Sequence, residues 1–213
     1  GDVLFYNSNT KLARLRRHVR LIHQKTTLTT DSLNYDRKKN IAYYFSGGMI
    51  EDSLNTLTSR WGQYTPDNHQ AIFRDEVKLV NPKFVLTADT LGYNTETYQS
   101  DIVGPTTILY DEETTILSTN GWYNTQTELS MLLDRSRIIH VDGITLTGDT
   151  IYYDKANGYG RSLGNIESTD STNHMTLYGN VSEVWEDGGR GYVTDSAMLL
   201  DWSDSTAFTY MHA

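Results

Sequence analysis

A repeat of about 29 residues runs through most of the chain and limits the folds that it can adopt. In the clearest copy, Asp89 to Tyr93, an Asp, an aliphatic residue and a Tyr lie two positions apart, and Asp31 to Tyr35 and Asp149 to Tyr153 match it closely. The last Tyr of successive copies follows the one before by 29, 29, 29, 30 and 30 residues: Tyr6, Tyr35, Tyr64, Tyr93, Tyr123 and Tyr153. A constant period in this range is typical of stacked repeat architectures.

Each repeat is predicted to contain two β-strands. Alternation places Asp89, Leu91 and Tyr93 on one face of an extended segment, whereas a helix would scatter them. A polar segment rich in Asn, Asp and Thr follows each Tyr and predicts a tight turn. A second strand with a kink or bulge then opens at a small residue seven positions after the Tyr: Ala13, Ala42, Ala71, Ser100, Ser130 or Gly160. The predicted fold class is all-β, an elongated open β-jellyroll or solenoid-like stack of these two-strand repeats.

The unbroken period favours one domain over residues 1–213, with regular repeats at 2–160 and an irregular hairpin and end cap at 161–213. Because Asp2 to Tyr6 already fits the pattern, the array is expected to extend upstream of the sequence given. The best helical candidate, Glu128 to Asp134, occupies a strand position of the repeat and is predicted as a strand. A stack of this kind leaves an edge strand at each end, here expected at Lys11 to Leu21 and at Tyr192 to Tyr210.

Composition disfavours several classes of function. A net charge of −9 with a pI near 5.0 disfavours nucleic acid as a partner, because phosphate backbones are bound by clustered Lys and Arg. There is no cysteine, and no apolar run approaches the length of a membrane span. The six histidines lack zinc-ligand spacing, so we expect no metal and no cofactor. Recurrent acidic residues such as Asp31, Asp89 and Asp149 are better explained as acceptors that support turns than as a catalytic pair, so no enzyme activity is expected.

The one basic patch lies near the beginning of the chain. Its two interpretations are a charged edge strand that resists aggregation and a contact for an anion or a lipid headgroup. The residues proposed for the headgroup contact are Arg14, Arg16, Arg17 and Arg20.

Three motifs together resemble the OstA-like family, which includes periplasmic proteins of lipopolysaccharide transport in Gram-negative bacteria. They are the Gly-Asn-Val strand of Tyr178 to Val184, the pattern from Ala71 to Leu79, and Leu86 to Tyr93. The resemblance implies an open, twisted jellyroll whose two sheets hold acyl chains in a groove. It also implies a periplasmic location, lipopolysaccharide as ligand, and head-to-tail joining to bridge proteins or to further copies by edge strands.

A groove of this kind requires one strand face lined by apolar residues. The candidate lining residues are Leu21, Leu33, Ile50, Phe73, Leu79, Leu91, Ile102, Leu109, Leu132, Ile139 and Ile151. The same residues would form an ordinary closed core, and the sequence leaves both interpretations open. A closed core favours the alternative function, a structural or adhesive β-solenoid whose surface binds proteins or glycans.

Overall fold

The computed structural model describes residues 1–23, 25–187, 189–204 and 207–213. These residues form 20 β-strands and one short 3-10 helix, Pro66–Asn68, so the all-β prediction is confirmed. The segment that most resembled a helix is strand β12, Leu129–Leu133, as its position in the repeat predicts. Within the described ranges, no helix has the length and apolar character needed to cross a membrane.

The chain divides into two compact units, Gly1–Thr106 and Thr107–Ala213, here called unit 1 and unit 2. The prediction of one domain over residues 1–213 stays a prediction. Unit 1 contains β1 (Val3–Asn7), β2 (Leu12–His23), β3 (Thr26–Asp36), β4 (Ile41–Tyr44), β5 (Gly48–Glu51), β6 (Thr56–Ser59), β7 (Trp61–Thr65), β8 (Gln70–Asn81) and β9 (Phe84–Asn94), and β10 (Gln99–Tyr110) crosses the boundary.

Unit 1 is built from two antiparallel ladders that share their long strands. Ladder 1A runs β1, β2, β3, β4, β7, β8 and β9. Ladder 1B runs β2, β3, β5, β6, β8 and β9. Strands β2, β3, β8 and β9 contribute one half to each ladder. The short strands β4 to β7 supply the two halves separately.

Unit 2 repeats this arrangement. Its strands are β11 (Thr114–Asn124), β12, β13 (Ser136–His140), β14 (Ile144–Gly148), β15 (Thr150–Asp154), β16 (Tyr159–Asp170), β17 (Met175–Trp185), β18 (Arg190–Thr194), β19 (Met198–Asp201) and β20 (Thr209–His212). Ladder 2A runs β11, β12, β15, β16, β17 and β18. Ladder 2B runs β11, β13, β14, β16, β17, β19 and β20.

The chain passes from one ladder to the other at corners with left-handed backbone. In β2 the corner is Arg17 and His18, with φ of 59° and 49°, and in β8 it is Asp75 and Glu76, with φ of 61° and 57°. The strand register shifts at both corners, as in a β-bulge. Left-handed backbone is costly for residues other than Gly, so neighbouring groups must hold it. Asp31 does so, since its Oδ1 accepts the backbone N–H of His18 at 2.9 Å.

The turns that join the repeats keep a constant spacing along the whole chain. Each contains one residue with positive φ, and these residues are Lys11, Asn40, His69, Tyr98, Glu128, Gly158 and Gly189. The repeat therefore continues past Tyr153, where the sequence predicts that its rhythm is lost. Val184, which lies five residues before Gly189, occupies the place of the repeated Tyr.

Candidate functional site

One face of ladder 1A carries an apolar row in direct cross-strand register. Leu4 pairs with Leu15, which pairs with Leu33. Further along the ladder, Tyr44 pairs with Gly62, Gly62 with Phe73, and Phe73 with Leu91. Directly opposed side chains on one face pack against each other, so the row forms a continuous apolar surface.

The neighbouring row on the same face alternates large and small residues. Its members, in strand order, are Tyr6, Ala13, Tyr35, Ala42, Tyr64, Ala71 and Tyr93. Each Ala leaves room for the rings on either side, which is why the sequence places a small residue seven positions after every Tyr. The repeated Tyr thus has a structural role in the lining of ladder 1A.

Ladder 1B has a matching row that consists entirely of aliphatic residues. In strand order its members are Leu21, Leu28, Ile50, Leu57, Leu79 and Leu86. Every strand of the ladder contributes one of them. Three, at positions 28, 57 and 86, are 29 residues apart, and this spacing could have identified them from the sequence.

The two lined faces look towards each other across the interior of unit 1, and Tyr44 joins them. Its hydroxyl lies 2.5 Å from Oγ of Ser59, which belongs to ladder 1B. A Cβ atom on Gly48 of ladder 1B or on Gly62 of ladder 1A would meet the Tyr44 ring at 2.6 and 2.5 Å respectively. Burial raises the pKa of Tyr44, and the hydrogen bond with Ser59 opposes this effect only in part.

The interior is filled close to the corners and more open away from them. Val19, Val77 and Leu91 retain only 1% of their surface exposure, and Leu33 and Phe73 are also buried. Farther from the corners, Ile50 and Leu79 are half-buried and Leu21 is 47% exposed. Unit 1 therefore has a closed core beside the corners and an accessible apolar margin along ladder 1B.

Unit 2 has the same geometry with a more polar lining. The row of ladder 2A reads Gly121, Leu132, Ile151, Ser162, Ser182 and Val193. The row of ladder 2B reads Thr115, Ile139, Thr145, Thr169, Thr176, Leu200 and Tyr210. Hydroxyl groups pair within this interior, for example Ser136 Oγ with Ser118 Oγ at 2.8 Å. The aliphatic wall of ladder 1B thus has a threonine-rich counterpart in ladder 2B.

Most predicted lining residues fall on these inner rows. Leu33, Phe73 and Leu91 lie in ladder 1A, and Leu21, Ile50 and Leu79 lie in ladder 1B. Leu132 and Ile151 lie in ladder 2A, and Ile139 lies in ladder 2B. Ile102 is buried in β10, whereas Leu109, in the same strand, is 39% exposed. The interior residues that the sequence interpretation missed are Val19, Leu28, Tyr44, Leu57, Val77 and Leu86.

The basic patch lies outside this interior. Arg14, Arg16 and Arg20 alternate with the inward residues of β2, so they point to the opposite face, and Arg17 is a corner residue. Arg16 donates to Leu15 O at 2.7 Å and to Asn34 Oδ1 at 2.9 Å. Its guanidinium also stacks on Phe45, at 5.5 Å from the ring centroid. The charge of Arg16 is therefore engaged in holding β2 and β3 together.

The edge strands differ in part from the expected segments. Over Leu12 to Arg16, β2 is covered by β1, whose exposed residues include Leu4 and Phe5. Among the described residues, Val19 to His23 pairs with β3 alone and forms the first edge of ladder 1B. At the other end of the chain, β18 and β20 are the outer strands of ladders 2A and 2B. Within the described parts of the chain, no three His, Asp or Glu side chains are placed to hold a metal ion.

Comparison with known proteins identifies the first part of the chain. Residues 1–89, which contain β1 to β8 and the first half of β9, match the family model described as OstA-like protein. Residues 1–89 are OstA-like. The resemblance found in the sequence is thus confirmed for the OstA-like segment, which supplies most of ladders 1A and 1B.

The OstA-like chain also resembles a solved structure, that of LptH from Pseudomonas aeruginosa, described as the LptA-homologous periplasmic component of a lipopolysaccharide transport device. The two share 19% identity with a TM-score of 0.43, and the match covers 47% of this chain and 75% of LptH. No curated protein matches the chain.

Proposed function

We propose that the OstA-like chain binds lipopolysaccharide in the periplasm of a Gram-negative bacterium and takes part in its transport to the outer membrane. In this proposal the acyl chains lie between the facing rows of ladders 1A and 1B. The observation that carries it is the all-aliphatic row of ladder 1B, which has one member on every strand and an accessible margin at Leu21, Ile50 and Leu79.

The free energy of acyl burial is sufficient for binding without a catalytic group. Each methylene removed from water contributes about 0.8 kcal/mol, so about ten buried methylenes contribute about 8 kcal/mol before the costs of ordering. Because this attraction is not directional, a chain can slide along the row without breaking specific bonds. Such a surface suits a transported ligand better than a reacting one.

The acyl chains are assigned to unit 1 because its lining is more apolar than that of unit 2. Thr115, Thr145 and Thr176 pair into the row of ladder 2B at the place where ladder 1B has Leu28, Leu57 and Leu86. A buried hydroxyl costs free energy unless it is hydrogen-bonded, and an acyl chain offers no partner. Unit 2 is therefore expected to bind acyl chains more weakly.

Site-specific photocrosslinking tests this proposal. A photoreactive residue at Leu79, which lies on the inner face, is compared with one at Lys78, its neighbour on the outer face of the same strand. A second matched pair is Ile50 and Met49, which are adjacent in β5. With lipopolysaccharide present, we expect adducts at positions 79 and 50 and none at 78 and 49. Equal labelling at inner and outer positions of a folded protein would contradict the groove.

The closed-core alternative has one specific observation in its favour. The inner residues next to the corners, including Val77 and Leu91, are buried by the protein alone. A structural or adhesive β-solenoid would have no use for the accessible margin of ladder 1B. It predicts no adduct at any of the four positions and an unchanged melting temperature when lipopolysaccharide is added.

The outer strands are proposed as docking edges for bridge proteins or further copies. An unpaired strand edge presents backbone N–H and C=O groups that another strand can bind. Strand β1 extends the inner row of ladder 1A with Leu4, whose side chain is exposed. Strand addition at β1 would cover Leu4 and prolong the apolar face into the next molecule.

A further inference from the structure

The outer face of ladder 2A carries a cluster of aromatic side chains in cross-strand register. Tyr152, Arg161, Glu183 and Tyr192 form one row across β15 to β18. Asp154, Tyr159, Trp185 and Arg190 form the row beside it. Both rows alternate with the inward residues Ile151, Ser162 and Ser182, so they lie on the opposite face from the interior of unit 2.

Four of these rings form a continuous strip. The centroids of Tyr152 and Tyr159 are 6.3 Å apart, those of Tyr159 and Trp185 are 5.6 Å apart, and those of Trp185 and Tyr192 are 5.9 Å apart. The guanidinium of Arg190 lies 5.6 Å from the Trp185 ring centroid. Tyr192 is 47% exposed, so the strip is accessible at the β18 end. We call these four rings together with Glu183 the aromatic platform.

Polar groups are fixed within the aromatic platform. Glu183 Oε2 accepts a hydrogen bond from the Tyr192 hydroxyl at 2.8 Å, and Glu183 Oε1 lies 3.6 Å from Arg161 Nε. The Glu183 side chain is only 18% exposed, so its carboxylate is held in place beneath the rings. The platform thus combines flat apolar surfaces with a charged acceptor and nearby guanidinium donors.

We propose that the aromatic platform binds a carbohydrate chain. A sugar ring has an apolar C–H face that packs flat on an aromatic ring and a rim of hydroxyl groups that bind carboxylates and guanidinium groups. Tyr and Trp are suited to this role because they combine a large apolar surface with a polar group. Opposite charges at Glu183 and Asp154 and at Arg161 and Arg190 offset one another, which fits a ligand rich in hydroxyl groups better than a polyanion.

A Trp–Arg pair in unit 1 provides a matched control. Trp61 and Arg74 are directly paired across β7 and β8, with the guanidinium 5.2 Å from the ring centroid, as Trp185 and Arg190 are across β17 and β18. If such pairs only protect a sheet surface, the Trp61→Ala and Trp185→Ala variants should behave alike. The proposal instead requires that only the loss of Trp185 affects sugar binding.

Isothermal titration calorimetry on the full chain tests the proposal with two probes. One is the deacylated oligosaccharide of lipopolysaccharide, and the other is a chito-oligosaccharide, which represents amino-sugar polymers of the cell wall. We expect at least one probe to bind, about tenfold weakening by Trp185→Ala, and unchanged affinity for Trp61→Ala. Tyr192→Ala, at an exposed edge position, should weaken binding similarly and serves if Trp185→Ala fails to fold.

The pattern of binding identifies the source of the ligand. Binding of the first probe alone points to the sugar part of lipopolysaccharide, and binding of the second points to a cell-wall glycan. Absence of binding by both probes would overturn the proposal, as would equal weakening by the Trp61 and Trp185 variants. Neither result depends on the photocrosslinking at Leu79, because the platform lies outside the proposed acyl groove.

Discussion

The hydroxyl of Tyr44 lies 2.5 Å from Oγ of Ser59 and spans the interior between ladders 1A and 1B. The Tyr44 ring occupies the space above two glycines, Gly48 and Gly62, one from each ladder. No larger residue can replace either glycine without moving the ring. The contact therefore sets the separation of the two ladders beside the corner.

We expect Gly62→Ala to destabilise unit 1 by about 1–3 kcal/mol, because the added Cβ would overpack the interior against Tyr44. Urea unfolding followed by circular dichroism measures the change. Gly160→Ala is the control, since its Cβ would meet the nearest atom, in Tyr153, at 3.8 Å. Equal destabilisation by the two substitutions would contradict the role given to Tyr44.

Phe73→Ala should destabilise unit 1 by about 3–5 kcal/mol, since Phe73 is buried within the row of ladder 1A and its truncation leaves a cavity. Phe5→Ala removes the same side chain from the exposed face of β1 and should change stability by less than about 0.5 kcal/mol. The midpoints of urea denaturation compare the two variants. Similar losses of stability would mean that the ladder rows do not form the core.

The Tyr153 hydroxyl donates a hydrogen bond to Glu186 Oε1 at 2.6 Å. Burial raises the pKa of Tyr153, and the hydrogen bond and charge of Glu186 raise it further. Because the folded-state pKa is raised, the resulting stabilisation is complete below the unfolded-state pKa and is lost as the pH rises through the folded-state pKa. Alkaline titration of tyrosinate absorbance should show that Tyr153 belongs to the groups that ionise last.

Glu186→Gln should lower the pKa of Tyr153 and make one tyrosine titrate earlier, because the neutral amide no longer opposes the tyrosinate charge. Tyr153→Phe should remove one late-titrating group altogether. If both variants titrate like the original protein, the Tyr153–Glu186 pair does not control this ionisation.

Leu4→Glu should weaken any self-association through β1, because a charge would replace the apolar end of the ladder 1A row. Phe5→Glu is the matched control, on the opposite face of the same strand. Sedimentation velocity over a range of protein concentrations measures the effect. Equal sedimentation of the two variants at every concentration would indicate that the inner row does not extend across a docked edge.

Much of this architecture could be predicted from the spacing of residues. The Tyr period located the strands that contain Leu33, Leu91 and Ile151, and the small residues after each Tyr correspond to the Ala partners in ladder 1A. Leu28, Leu57 and Leu86 were missed although they follow the same period. The signal was present, but it falls on the half of each repeat that has no conserved-looking Tyr to draw notice.

Other features depend on geometry that spacing does not encode. The corners shift the inward face by a residue, so simple alternation along β2 or β10 misplaces residues beyond the corner, as with Leu109. The role of Arg16 depends on Asn34 and Phe45, which come from other strands. The repeat after Tyr153 was missed because its turns need a left-handed residue such as Gly189, whereas a Tyr is dispensable.

The corners have a mechanical consequence. Because β2, β3, β8 and β9 each belong to both walls of unit 1, the walls are woven from the same threads and cannot peel apart as separate sheets. They can only swing about the line of corners, like the covers of a book about its spine. Widening the space for a bulky guest therefore leaves the hydrogen bonds of each ladder intact. Excision of one 29-residue repeat would shorten both covers equally.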